Sequence, residues 1–498
     1  MANIDPTVPS ADYKANQSSF KVLRTVMAGT EAMRAAGESY LPKWPTEDPQ
    51  RYEGRKAETV LLNKLEGAVN LAVGKPMGTP IALAGEYDPY YDQFIYDVDF
   101  LGNSLDVFAR RFLEDGVTAG LAYILVDMPR AEPGMTLAQE IAGNIRPYFV
   151  HFRAEDVLSC TVSMGTGRPT VIDARWFENG VKMVGFTEYT VKRVRHYRSD
   201  GWDLWELSVD DAGTEAKEWK IVASGPAPLG EVSLIPFFTG RRATKTGFTV
   251  KPPFLDLAWK NVEHWQSSSD QRNILKYARF PILAGSGVKM PVPKKGEDAP
   301  VKPVIGPNSL LTTEDPQGKW YYVEAEGKAI EAGQKDLERL EAEMDALAMK
   351  PHQKGSGVIT ATSVKAGERR ENSAVKNMAL NLKDALERAF VFAERYRGAA
   401  DTTRAPSVNV QTEFDDDMGN DSPTMDSLLK ARVAGQLSRK TYWSELKRRG
   451  ELAASFDADA EEMLLAEEGT GLGTEPDNPA TTDDPNATND NPNPAKAA

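Results

Sequence analysis

The chain has 498 residues, 41% of them hydrophobic and 27% charged, enough for two to four domains, or one elongated multi-part subunit, with a sizeable core. Its formal net charge of −14 excludes tight, sequence-independent wrapping of nucleic acid, which needs clustered Lys and Arg, though not a protein that DNA passes without adhering. Cys160 is the sole cysteine, so neither an internal disulfide nor a cysteine-based zinc site can form within one chain.

The first residues, MANIDPTVPSADYK, lack a basic-then-apolar leader, and no apolar run approaches the length of a bilayer span. The expectation is a soluble, cytoplasmically made protein with no membrane partner. Residues 1–50 are polar and carry several prolines, which reads as an arm with short helices. TVLLNKLEGAVNLAVGKP (59–76) has helical apolar spacing and stops at Gly74 and Pro76. FLGNSLDVFARRFLEDGVTAG (100–120) puts Leu101, Leu105, Phe108, Phe112 and Leu113 on one helical face. LAYILVDMP (121–129) is a short apolar run closed by proline, a buried strand.

From 147 to 240 the pattern turns to strands: PYFVHF, PTVIDARWF, TEYTVKRVRHYR, DLWELSV, EWKIVA and VSLIPFF are β-branched or aromatic and separated by turn residues. Lys192, Arg193, Arg195 and Arg198 lie along one of them; a solvated strand face is favoured over a DNA contact. Residues 253–281 return to a helix with a Leu257, Ala258, Val262 and Trp265 stripe. Ser267, Ser268 and Ser269 interrupt it, either to admit another helix or to face water. Ile274, Leu275 and Ala278 resume the stripe before Pro281.

Residues 282–327 hold six prolines; PILAGSG and SLLTTEDPQGKWYYVEAEG read as short strands around a projecting segment. In 328–349, Ile330, Leu337 and Met344 recur every seven residues, as do Gly333, Leu340 and Leu347. That is the seam of a helix packed lengthwise on others. A very long helix spans 360–398, with Val375, Met378, Leu382, Leu386, Ala389 and Ala393 as its stripe and Gly398 as its stop. SVNVQTEF (407–414) reads as a strand. Residues 426–452 form two short helices about Gly435, the second capped by Ser438. The acidic, Asn/Pro/Asp-rich end cannot bury enough apolar surface to order itself.

Tests for chemistry come back empty. GAVNLAVGKP (67–76) fails as a phosphate loop, because six residues separate its glycines and Pro76 stands where a Ser or Thr should hold the metal. His151, His196, His264 and His352 form no zinc pair or triad spacing. EFDDDMGNDS (413–422) admits a divalent-cation loop or, more readily, an exposed acidic turn. No catalytic residue, metal site or cofactor is assigned, and the chain is not expected to be an enzyme.

The connector MKPHQKGSGVITATSVK (349–365) stands out. Either it is a solvated link between helices, or Gly355 and Gly357 keep it deformable while Lys350 and Lys354 make brief phosphate contacts. One copy would be a feeble site; copies around a ring would form a positive collar.

Three stretches, LEDGVTAGLAYILVDMP (113–129), AWKNVEHWQSSSDQRNILKYARFPIL (258–283) and AGQLSRKTYWSELKRRG (434–450), together with the order of parts, resemble the portal proteins of tailed bacteriophages over about residues 55–465. The resemblance implies an α+β portal fold with a β-rich wing, a two-helix stem, a small α/β clip and a long helix leading to a helical crown. The implied parts are an N-terminal arm (1–50), wing (51–252), stem helices (253–281 and 328–349), clip (282–327) and channel loop (350–361). The long helix (362–398), a wing strand and loop (399–424), the crown (425–468) and a disordered acidic tail (469–498) follow.

Portal proteins form rings, usually of twelve subunits, at one capsid vertex in the virion. The resemblance therefore implies double-stranded DNA in the channel. Partners would be the large terminase subunit, head-completion and tail adaptor proteins, the major capsid protein and scaffold. The implied loop residues are Lys350, His352, Lys354, Gly355 and Gly357. Glu331, Glu338, Glu341 and Asp345 would line the stem, with Asp336 and Glu343 also available there. Lys294, Lys295, Glu297, Asp298, Trp320 and Tyr321 would form the docking clip. A nucleic-acid enzyme, or a structural adaptor or minor capsid protein without a channel, are the other classes weighed.

Overall fold

The computed structural model describes residues 4–129, 134–136, 139, 143–165, 169–216, 218–279, 282–288, 313, 315–323, 327–348, 361–398, 402–414, 425–448, 451–452 and 456–467. Two units, Met1–Phe414 and Asp415–Ala498, are each compact. Helices and antiparallel sheets are mixed along the chain, the α+β class expected from sequence.

The described part of 1–50 is not an arm. Ala11–Met27 is a helix whose first turn is capped by Ser10, which accepts a hydrogen bond from the Tyr13 backbone N–H at 3.2 Å. Its Phe20, Val22, Leu23 and Val26 are buried, as are Met33 and Leu41 further on. Pro6, Pro9, Pro42, Pro45 and Pro49 flank the helices without interrupting them. The proline content that suggested an arm thus marks helix boundaries.

A three-stranded antiparallel sheet sits at the centre of this unit, in the order Leu234–Phe238, Leu121–Asp127, Tyr148–Arg153. Alternation along the middle strand sends Ala122, Ile124 and Val126 into one core and Leu121, Tyr123 and Leu125 into another. A strand covered on both faces needs apolar side chains at every position, which is why its sequence is an unbroken run. The helix Leu105–Ala119 brings Leu105, Phe108, Phe112 and Leu113 to the first core. Leu101, expected on the same face, precedes the helix and is 80% exposed. Helix and strand meet at Gly120, whose φ is +78° and whose Cβ would stand 2.9 Å from the Pro252 Cα. Both the left-handed backbone and the close approach require glycine there.

The second core also takes Val171, Ala174, Trp176 and Tyr197 from a six-stranded antiparallel sheet. Its order is Val157–Ser163, Thr170–Phe177, Thr187–Arg198, Gly201–Leu207, Lys220–Pro226, with Gly180–Val184 paired to the start of Thr187–Arg198. Val157–Ser163 and Gly180–Val184 were not legible as strands. The first is half Ser, Cys and Thr and the second only five residues long, so pairing with neighbours decides both. Lys192, Arg193, Arg195 and Arg198 are ion-paired with Glu215, Glu206, Glu178 and Asp203. The strand's cations, which alternate between the two faces of the sheet, are neutralised by carboxylates of the same sheet and its loops.

The long helix, Ala361–Tyr396, runs 36 residues, roughly 50 Å at about 1.5 Å per residue. Val375, Met378, Leu382, Leu386, Ala389 and Ala393 are all buried, as their spacing requires. At its end the Tyr91 hydroxyl donates to the buried Glu394 carboxylate at 2.6 Å, and Arg397 donates to Glu394 and Asp88. Gly398 then turns the chain with φ +83°. The strand after it is Ser407–Asn409, shorter than the expected 407–414; it pairs with Ala82–Ala84.

In the smaller unit, Met425–Val433 and Arg439–Arg448 flank Gly435, which has φ +70°. The Ser438 hydroxyl accepts from the Thr441 N–H at 3.1 Å as expected of a cap. A third helix, Ala458–Glu467, is held by Lys440–Asp459 and by the Trp443–Phe456 ring contact.

Candidate functional site

The sequence points to the segment between the body and the long helix. It is built on two helices, Leu255–Arg279 and Gly327–Leu347, with the strands Ile282–Ser286 and Lys319–Val323 paired antiparallel between them.

One face of Leu255–Arg279 packs on the body. Leu257, Ala258, Val262 and Trp265 are buried. The Ser269 hydroxyl lies 3.0 Å from that of Thr59. Asn261 accepts the Lys64 backbone N–H at 3.1 Å, satisfying a donor at the start of another helix. Beside Ser269, Arg55 donates twice to Glu47, at 2.8 Å each, while its guanidinium stacks over Trp44 at 4.3 Å. The two side chains are only 5% and 2% exposed. Hydrogen bonds from Arg55 hold the Glu47 carboxyl below the usual range.

The opposite face packs on Gly327–Leu347. Gln271 donates to the Ile330 carbonyl at 2.9 Å, and a Cβ on Gly333 would overlap the Gln271 amide. Ser267 donates to Asp336 at 3.2 Å, and Lys260 bridges Glu263 and Glu343 at 2.8 Å each. His264 approaches Glu341 at 3.5 Å. The serine question is therefore answered on both sides of one helix: Ser267 meets the neighbouring helix and Ser269 meets the body. Small residues let both approach closely.

Along Gly327–Leu347, Leu340 and Met344 are buried and Ile330 and Leu337 half-buried, following the seven-residue spacing. Leu347 departs from it and is 39% exposed. A seven-residue spacing drifts by about 20° per repeat on a straight helix, which carries the last member off the seam.

The acidic residues expected on an open surface divide into two groups. Glu331, paired with Lys335, and Glu338, accepting from Gln334, are exposed. Asp345 instead ion-pairs with Lys64 at 2.9 Å, and Glu341 turns toward His264. Asp336 and Glu343 are held by Ser267, Arg339 and Lys260. Lys64 and Lys260 belong to this site and were not singled out in the sequence. The Lys64 pairing spans 281 residues, and no local pattern announces it.

In the tip, Trp320 is half-buried and Tyr321 exposed, with Tyr322 and Val323 exposed beside it. Lys294, Lys295, Glu297 and Asp298 lie outside the described residues, as do Lys350, His352, Lys354, Gly355, Gly357 and most of 413–422. Elsewhere, His151 lies 3.3 Å from Asp115, and burial lowers its pKa. His196 pairs with Asp173 at 2.7 Å, and burial pushes the Cys160 thiol well up. Among the described residues no group of three or more His, Cys, Asp or Glu side chains could hold a metal, and no helix is long and apolar enough to cross a membrane.

A family model described as a domain of unknown function, DUF4055, matches residues 253–397, which contain the helix pair, the tip and the long helix. A search of curated proteins finds no match. Among solved structures, the chain is similar to a component of the virion of a native gene transfer agent particle, at 13% identity and TM-score 0.37, covering 81% of this chain and 89% of that one. It is also similar to a component of the neck of a native gene transfer agent particle computed with C12 symmetry, at 12% identity and TM-score 0.37, covering 77% and 89%. A third likeness is to the neck of an empty particle computed with C6 symmetry, at 11% and 0.33, covering 80% and 88%.

Proposed function

We propose that the chain is a structural subunit of the head–tail region of a phage-like particle, and specifically a portal subunit. Copies would form a ring at one capsid vertex around a channel for double-stranded DNA. The observation that carries this reading is the helix pair with its two-stranded tip, followed by a 36-residue helix returning into the body. That is the order of stem, clip, stem and long helix implied by the portal resemblance. The exposed Glu331 and Glu338 suit a lining that repels phosphates and lets DNA slide. In this reading Asp345 belongs to the joint between stem and body, and Glu341 to the contact between the two stem helices. The tip with Tyr321 and Tyr322 would dock the packaging terminase and, later, head-completion and tail proteins. Chemistry would be supplied by those partners, the portal itself hydrolysing neither ATP nor DNA.

Negative-stain microscopy of the purified full-length chain tests the proposal. Rings with a central hole wide enough for a duplex, from material inactive on ATP and DNA, are the expected result. A persistent monomer, a plugged assembly, or hydrolysis of either substrate overturns it.

A further inference from the structure

The helix Leu255–Arg279 uses two faces within its own chain, one against the body and one against Gly327–Leu347. Two flanks border those faces, each touching the body only at its edge through Tyr40 and Glu58, and they differ in character. At about 100° per residue, Trp259, Glu263, Gln266, Asp270 and Ile274 follow one another in steps of four, three, four and four along one flank. Trp259 is 49% exposed even with its edge against Tyr40, and Ile274 is also exposed. Ser268, Arg272, Leu275 and Arg279 follow the other flank in steps of four, three and four. Asp270 and Arg279, nine residues apart, stand about 180° apart around the axis.

Glu263 is taken by Lys260, but Asp270 on one flank and Arg272 and Arg279 on the other lack a close opposite charge of their own among the described residues. The Asp270 carboxylate is half exposed and 3.7 Å from Arg55, whose own charge is taken by the twin hydrogen bonds of Glu47. Arg272 donates to the Glu58 carbonyl at 3.2 Å, which leaves its charge uncompensated. Both Arg272 and Arg279 are exposed. An acidic flank with an aromatic anchor therefore lies opposite a basic flank on one rod.

We infer that this helix is the lateral joint between copies of the chain, the Trp259–Glu263–Asp270–Ile274 flank of one copy seating on the Arg272–Leu275–Arg279 flank of the next. Joining unlike flanks is a head-to-tail contact, which closes into a ring when the rotation per copy divides the circle. Unlike charges would fix which flank meets which, and like-charged approaches would be rejected. The inference rests on the ring reading above and assigns the surface that builds the ring.

Charge exchange tests it on the full-length chain, with assembly followed by light scattering and negative-stain microscopy. Asp270→Arg alone, or Arg272→Glu with Arg279→Glu, should raise the concentration needed for assembly by about tenfold or more. The three substitutions combined should restore rings that exclude wild-type subunits, because every mixed contact would set like charges together. If a reversed chain does not fold, as judged by its melting transition, Asp270→Asn and Arg279→Gln are substituted. These neutral changes should weaken assembly and flatten its dependence on salt. Wild-type rings with reversals that assemble normally, or a triple exchange that stays monomeric or mixes freely with wild type, overturn the joint and leave the ring reading standing. A wild-type chain that never assembles removes the ring reading itself.

Discussion

Single side chains carry the sharpest physical demands. His151 sits among Asp115, Arg24, Arg153, Glu155 and the rings of Phe108 and Phe112, and burial disfavours its charged form. Its folded pKa lies below the ordinary value of 6.5. The neutral ring thus stabilises the fold above that value, and the contribution is lost as pH falls through the lowered pKa. Melting temperature measured from pH 7.5 to 5 should fall, and His151→Gln should flatten the slope over that window. The Arg55–Glu47 pair makes a second demand, since neither partner has water to fall back on. Glu47→Gln leaves the guanidinium with a weakened partner in a buried place, and such breaks cost about 3–5 kcal/mol. Denaturant titration is the check, and a loss under ~1 kcal/mol would mean the pair is effectively solvated.

At the scale of elements, periodicity is read out faithfully where one surface is buried by one partner. The long helix is the clearest case: all six residues of its expected stripe are buried. Leu386 is fully buried there, so Leu386→Ala should cost about 2–5 kcal/mol in chemical unfolding. The same truncation at Leu347, off the seam and exposed, should cost well under ~1 kcal/mol. A comparable loss at both positions would mean that Leu347 is covered in the assembled protein. Elements misread in the sequence share a cause. The arm at 1–50 turned out to be core-forming because its prolines sit between helices. The strand Val157–Ser163 was missed because its partners, and not its own residues, make it a strand.

For the molecule as a whole, the packing of the helix pair on the body and of its two helices on each other decides which acids gain a neighbour. Lys64, on the body, takes Asp345, while Glu341 only approaches His264, on the first helix, at 3.5 Å and stays half exposed. The channel reading therefore leans on Glu331 and Glu338 for its lining, together with the lysines of the connector. Replacing Lys350 and Lys354 by alanine should impair DNA packaging or genome retention in a particle-assembly assay while leaving rings intact by microscopy. Normal packaging by that double variant would take the connector out of the mechanism.

The sequence by itself determined the alternation of helical and strand-rich stretches, the position of the helices after residue 59, the buried strand after residue 120, the stop at Gly398 and the cap at Ser438. Each of these rests on spacing, propensity or backbone freedom within a few residues, and such terms are local. Tertiary structure alone decided that the N-terminal helix belongs to the core, that Ser267 and Ser269 serve opposite neighbours, and that the basic strand is neutralised across its sheet. It also decided that Asp345 is spent on a lysine 281 residues away. Burial and charge pairing depend on what the folded chain brings alongside, and a linear pattern holds no record of that neighbour.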